Sequence, residues 1–190
     1  MHTGYFHKNG ILNSSVQKCG RVAFPEFTGE RVYMREFTKA DGLPFDLRRW
    51  QPTVDAMLDG VDSSCPIFLM VDQAKVIAGA SHRRGGIHID GAWLPELQCH
   101  GGGGHGHRID GPSDTLILAS DVFGCRGYAG SVVISVGDGG DCSHTDLSGL
   151  DEIDFEPGFA YCGDALSMLH ESIPLLRDSF RTVVRLNVRN

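Results

Sequence analysis

A chain of 190 residues, 41% hydrophobic and 8% aromatic, is long enough to bury a real core; this argues against a largely disordered protein and predicts one domain spanning 1–190. The net charge of −7, with 17 scattered Lys and Arg, argues against non-specific nucleic-acid binding, which needs a basic surface to neutralise phosphates. No apolar run reaches the ~18 residues of a membrane span and the N-terminus has no hydrophobic signal core, so a soluble, cytoplasmic protein with no membrane contact is expected.

In chain order, residues 1–20 lack a clear period and read as an arm or lead-in strand. The segment 46–61, "DLRRWQPTVDAMLDGV", carries Trp50, Val54, Met57, Leu58 and Val61 at helical spacing, and Pro52 moves the expected helix start to about Gln51. "CPIFLMVDQ" (65–73) is too short and too rich in strand formers for a helix and reads as a buried strand. Further strands are expected from "AGASH" into "IHID", and then at 114–122, 130–138, 165–171 and 181–188. Glycine-rich or acidic segments, including "GDGGDCSHTDLSG" and "FEPGFAYCGD", read as the turns between them. One early helix followed by many short strands predicts a mainly β fold with a few helices, a sandwich or jelly-roll barrel. In this division 1–64 form an N-terminal arm and supporting helix, and 65–190 the core. The six cysteines show no CxxC pair and read as reduced, mostly buried small hydrophobes.

The chemistry begins at "RRGGIHIDGAW". Side chains two apart on a strand share a face, so His88 and Asp90 converge on one point while Ile87 and Ile89 face the opposite layer. Two ligands of a two-histidine, one-carboxylate iron site can come from one strand end in this way. The downstream histidines eligible as the third ligand are His100, His105, His107, His144 and His170. His170 stands out because "GDALSMLHES" supplies a turn and a strand that puts Leu166, Met168 and His170 on one face. The following strand aligns Arg181, Val183 and Arg185 on one face and Thr182, Val184, Leu186 and Val188 on the other. A buried arginine is costly unless an anion answers it, and a guanidinium fork suits a carboxylate.

With these pieces the chain resembles the Fe(II)/2-oxoglutarate-dependent oxygenase superfamily. The matching residues are "HID", the strand entry "GDALSMLHES", and "RTVVRLNV", in which Arg181 follows His170 by 11 residues (181 − 170). The resemblance covers roughly residues 65–188 and implies a double-stranded β-helix of the jelly-roll, cupin-like kind. It implies iron held by His88, Asp90 and His170, and 2-oxoglutarate as cosubstrate with Arg181 on its far carboxylate. Molecular oxygen is the oxidant, and the outcome is hydroxylation or oxidative demethylation of a small molecule or protein side chain. The hydroxyl that often accompanies such an arginine falls to Thr182 or Ser179, neither at the commonest spacing. Arg185, about 13 Å further along the strand, cannot reach the same carboxylate and is expected to brace the site or line the substrate side.

Other substrate-side candidates are Trp93, just past the ligands, Arg84 beside His82 and Arg83, and His105 in the loop "QCHGGGGHGHRIDG" (98–111), which reads as a lid or substrate loop. "GDGGDCSHTD" lacks the acidic spacing of a calcium loop and reads as a turn. Two other functional classes stay open: a cupin-like metal- or ligand-binding module, against which "HID" stands in place of HxH, and a virion-associated or structural protein without oxygenase activity. A homo-oligomer is also left open.

Overall fold

The computed structural model describes residues 9–91, 93–94, 99–100 and 114–189. Its strands are β1 (Asn9–Ser14), β2 (Gln17–Arg21), β3 (Arg31–Phe37), β4 (Ile67–Val76), the two-residue pair β5 (Trp93–Leu94) and β6 (Cys99–His100), β7 (Thr115–Ser120), β8 (Cys125–Ser135), β9 (Asp151–Asp154), β10 (Phe159–Asp164), β11 (Leu169–Ser172) and β12 (Ser179–Val188). The single α-helix among the described residues, α1 (Gln51–Met57), follows a 3-10 turn over Phe45–Trp50 and carries proline in its first turn, where no backbone donor is lost.

The fold is mainly β. A large antiparallel sheet runs β2-β10-β7-β12-β4-β3, and a smaller one is built on β8, flanked by β1, β9 and β11. Along the chain the segments alternate between sheets: β4 in the large one, residues 86–91 beside β11 in the small one, β7 back in the large, β8 and β9 in the small, β10 large, β11 small and β12 large. The centre of the large sheet, β12, pairs without a break with β4 from Ser179↔Val76 to Val188↔Ile67.

Alternation along β12 sorts the core. Val184, Leu186 and Val188 join Trp50, Val54, Met57, Leu58 and Leu69 in a cluster between the large sheet and the helical segment. Leu116, Leu118, Phe155, Tyr161 and Met168 fill one end of the space between the sheets. Leu12, Ile89, Tyr128, Ile134 and Leu169 cover the far face of the small sheet.

Several expectations need correction. Residues 77–86 are not a strand: Ala80 N donates to Ile77 O at 3.1 Å to form a turn, and only His88 makes strand-like bridges. Phe159–Asp164, expected as a turn, is a strand whose faces split cleanly, Ala160 and Cys162 toward the helix-side cluster and Phe159 and Tyr161 toward the intersheet cluster. Residues 165–168 leave β10 in a turn, with Met168 N donating to Asp164 O at 2.7 Å, so His170 of β11 shares no strand face with Leu166. β3 and β9 were not anticipated; β3 carries a bulge at Met34, φ 46°, which breaks the alternation a sequence pattern relies on. The loop 101–111 lies outside the described residues.

Trp50 is fully buried, and its indole N–H donates to Glu30 Oε2 at 2.9 Å, tying the helical segment to the approach to β3. Trp50→Ala is expected to lower unfolding free energy by about 3–5 kcal/mol, read as a lower urea midpoint with unchanged slope.

Candidate metal centre

His88 and His170 face each other across the small sheet. His88 N donates to His170 O at 2.9 Å and His170 N to His88 O at 3.1 Å, so the two residues are a directly paired couple on adjacent segments. Their rings lie 4.4 Å apart between centroids on the face turned toward the large sheet. Asp90, two residues past His88, joins them, and one ligand atom from each of the three residues falls within 4.8 Å of the others. This is the His-Asp-His set expected from the sequence, on a mainly β scaffold.

Each imidazole is oriented by its own backbone. His88 Nδ1 lies 2.8 Å from Gly86 O, and His170 Nδ1 lies 3.0 Å from Met168 O. A carbonyl only accepts, so each Nδ1 donates and each Nε2 is the nitrogen turned into the site. Both Nε2 atoms face a carboxylate: His88 Nε2 is 3.9 Å from Asp90 Oδ1, and His170 Nε2 is 3.5 Å from Asp90 Oδ2. Burial, reinforced by the neighbouring His170, pushes His88 down to about 3, which keeps it neutral. Neutral His88 and the Asp90 carboxylate turn lone pairs into a space that His170 Nε2 also faces, an arrangement that a cation among them would satisfy. The donor set suits a divalent transition metal such as iron(II), with three coordination positions left open.

Asp90 is held from behind. Burial favours its neutral form, but the Arg185 guanidinium, whose Nη1 stands 2.9 Å from Oδ2, and then His170 hold its carboxyl well below the usual range. Arg185 is itself buried in β12, and its Nε donates to Asn187 Oδ1 at 2.9 Å; Asn187 Nδ2 in turn reaches Asp114 Oδ2 at 3.3 Å. Of the two roles expected for Arg185, bracing describes its contacts, although it also lines the pocket beside the ligands.

That pocket, about 200 Å³, lies between the sheets. Met70, Leu118, Cys125 and Val183 give it apolar walls, while Tyr33, Arg83 and Arg84 line it as well. Arg84 thus stands where it was expected, exposed, with Nη1 donating to Gly139 O. Arg83 is anchored by Asp72 of β4: Arg83 Nη1 reaches Oδ2 at 2.7 Å, and Arg31 and the buried His82 stand 3.3 and 3.4 Å from Oδ1. Trp93 is described by its backbone alone, in β5, and His105 lies outside the described residues.

Arg181 shares the Val183–Arg185 face of β12 and is completely buried. Its Nε donates to Ser120 Oγ at 3.0 Å and its Nη2 to Cys125 Sγ at 3.0 Å, while Nη1 has no partner among the described residues. No described carboxylate comes within ion-pair distance of it. Gly124, at φ 150°, makes room: a Cβ there would lie 2.9 Å from the guanidinium carbon. Thr182 does not join this site. Its side chain is on the opposite face, accepting from Gln73 Nε2 at 3.2 Å, as strand alternation requires of the residue next to Arg181. Ser179 is also apart, its hydroxyl donating to Arg177 O. The hydroxyl beside the arginine is Ser120, on neighbouring β7, and no spacing within one strand could have pointed to it.

Compared with models of known protein families and with curated proteins, the sequence matches none.

The Asp72 cluster gives a pH prediction. Burial raises the Asp72 carboxyl, but His82 and Arg83 outweigh it and bring it down from 3.8 to about 2. A depressed carboxylate contributes stability in full above its unfolded pKa and loses it as pH falls through the folded value. Stability of the metal-free protein should therefore drop between about pH 4 and pH 2, and Asp72→Asn should be less stable at neutral pH yet show a shallower acid limb, followed by urea unfolding across that range.

Proposed function

We propose that the chain is an Fe(II)- and 2-oxoglutarate-dependent oxygenase that hydroxylates, or oxidatively demethylates, a small molecule or a protein side chain. The observation that carries the reading is Arg181: a fully buried guanidinium, met among the described residues only by a hydroxyl and a thiol, on the strand face whose Val183 and Arg185 border the His88–Asp90–His170 cluster. A buried cation left without a counter-ion is expensive, and a dicarboxylate reaching from the metal along the pocket wall would supply the missing charge. From β4 to β12 the chain crosses between the two antiparallel sheets at every step except the β8–β9 hairpin, which supports a double-stranded β-helix of the jelly-roll kind.

On this reading His88, Asp90 and His170 hold the iron, and Arg181 with Ser120 binds the 5-carboxylate of the cosubstrate. Iron and 2-oxoglutarate supply the oxidising power: with O₂, the cosubstrate is converted to succinate and CO₂ as one oxygen atom enters a substrate C–H bond. The chain's own residues do the rest. The Gly86 and Met168 carbonyls keep both Nε2 lone pairs available, Arg185 keeps Asp90 ionised and oriented, and Leu118, Val183 and Met70 exclude water from the inner wall. Arg83, Arg84 and Tyr33 meet the substrate.

Anaerobic titration with Fe(II) and then 2-oxoglutarate tests this through the weak visible charge-transfer band of the chelated cosubstrate. Wild type should develop the band, Asp90→Ala should lose it with its iron, and Arg181→Ala should bind iron but require about 30- to 1,000-fold more 2-oxoglutarate. Tight iron binding with no band in wild type would favour a cupin-like metal-binding module, and failure to bind iron would remove the metal reading altogether.

A further inference from the structure

We infer that Cys19 and Cys162 form a reversible disulfide that fastens the edge strand β2 to the large sheet. The two thiols come from opposite ends of the chain, 143 residues apart, and their sulfurs lie 3.2 Å from one another, with the Cys19 S–H donating to Cys162 Sγ. Backbone register explains the meeting. Cys162 of β10 is paired with Gln17 of β2, and Cys19 is two residues further along β2, on the same face, so the thiols are diagonal neighbours on an antiparallel ladder. A bond of about 2.0 Å requires the sulfurs to approach by roughly another ångström, and a bulge in the register between Phe159 and Tyr161 sits beside them.

Access is built in. Both residues are only half-buried, and they line a surface cleft of about 360 Å³ together with Met57, Asp59 and Thr115. In the reduced pair, burial and the hydrogen bond to Cys162 push the Cys19 thiol up to about 12. Of the other free cysteines described, Cys142 is fully buried, Cys125 is engaged by Arg181, and Cys65 is half-buried without a sulfur neighbour among the described residues.

Oxidised glutathione, a low-molecular-weight disulfide, is a sufficient oxidant. One cysteine thiolate attacks a glutathione sulfur, forming a mixed disulfide and releasing one glutathione thiolate. The second cysteine thiolate attacks the protein-side sulfur, forming the Cys19–Cys162 bond and releasing the other. The two protons lost by the cysteines end on the two glutathione thiols, so two protein thiols are oxidised as one disulfide is reduced.

The bond would lock an element that spans both sheets. β1 and β2 are consecutive; β1 pairs with β8, and at its end Ser14 Oγ accepts from Leu169 N at 3.0 Å, one residue before His170. Fastening β2 therefore anchors the arm that supports the strand of a metal ligand.

The test treats the full-length protein with excess oxidised glutathione and maps its peptides without reduction. The expected result is a peptide pair joined through Cys19 and Cys162, reversed by dithiothreitol, with a melting temperature raised by about 5–15 °C in the oxidised form. Cys19→Ser and Cys162→Ser should each give neither the cross-link nor the rise. Glutathione adducts on both residues without a cross-link, or a bond joining other cysteines, would overturn the inference, and the map of the wild-type protein decides this even if a variant folds poorly.

Discussion

Two backbone hydrogen bonds exchanged between His88 and His170 set the geometry of everything around them. Because the two residues are direct partners, their rings leave the sheet on the same side and meet, and because side chains repeat every second residue, Asp90 follows them into the same space. A register slip of one residue would turn both rings to the outer face and bring Ile89 and Leu169 inward. That slip is opposed on both flanks: Ile89 N donates to Gly140 O at 3.0 Å, Gly91 N donates to Ala165 O at 2.7 Å, and Ile89 and Leu169 are sealed into the outer apolar cluster. The polar cluster is thus held in place by the hydrophobic one behind it.

The large sheet faces this cluster with two buried arginines on one strand, and their surroundings differ in kind. Arg185 is answered by a carboxylate and continues through Asn187 to Asp114, a chain in which charge and hydrogen bonds balance within the protein. Arg181 is answered by a hydroxyl and a thiol, and one of its nitrogens by nothing among the described residues. Since desolvating a guanidinium is costly, the first arrangement reads as a finished structural pair and the second as half of one. Gly124 is pressed against the Arg181 fork, which occupies the place a side chain there would take.

The His-Asp-His cluster was legible in the sequence because strand periodicity is local: "HID" states that His88 and Asp90 share a face, and "RTVVRLNV" states that Arg181 and Arg185 do. The helix over 51–57 was legible for the same reason, Pro52 marking its first turn. What periodicity cannot carry is the identity of a neighbour on another strand. Ser120 beside Arg181, Asp72 beneath Arg83 and Cys19 against Cys162 all depend on pairing between distant segments. The bulge at Met34 hid β3, and a strand such as β10, opened by glycine and closed by Gly163–Asp164, looks like turn chemistry until its neighbours are known. Thr182 lies apart from Arg181 by the same alternation that sets Arg181 on the face shared with Val183 and Arg185.

The arm formed by β1 and β2 has a consequence for the order of folding. Its residues precede by more than a hundred positions the segments they pair with: β1 pairs with residues 130–135, β2 with residues 159–162, and Ser14 with Leu169. Gly163 packs so closely under the turn between the two strands that an added Cβ would lie 2.6 Å from Ser15 O, so the arm has no seat until β10 exists. Contacts of such long sequence separation carry a high loop-closure cost and form slowly. β1 and β2 are therefore among the last strands to dock, and the growing chain must carry them unpaired until β8 and β10 have formed.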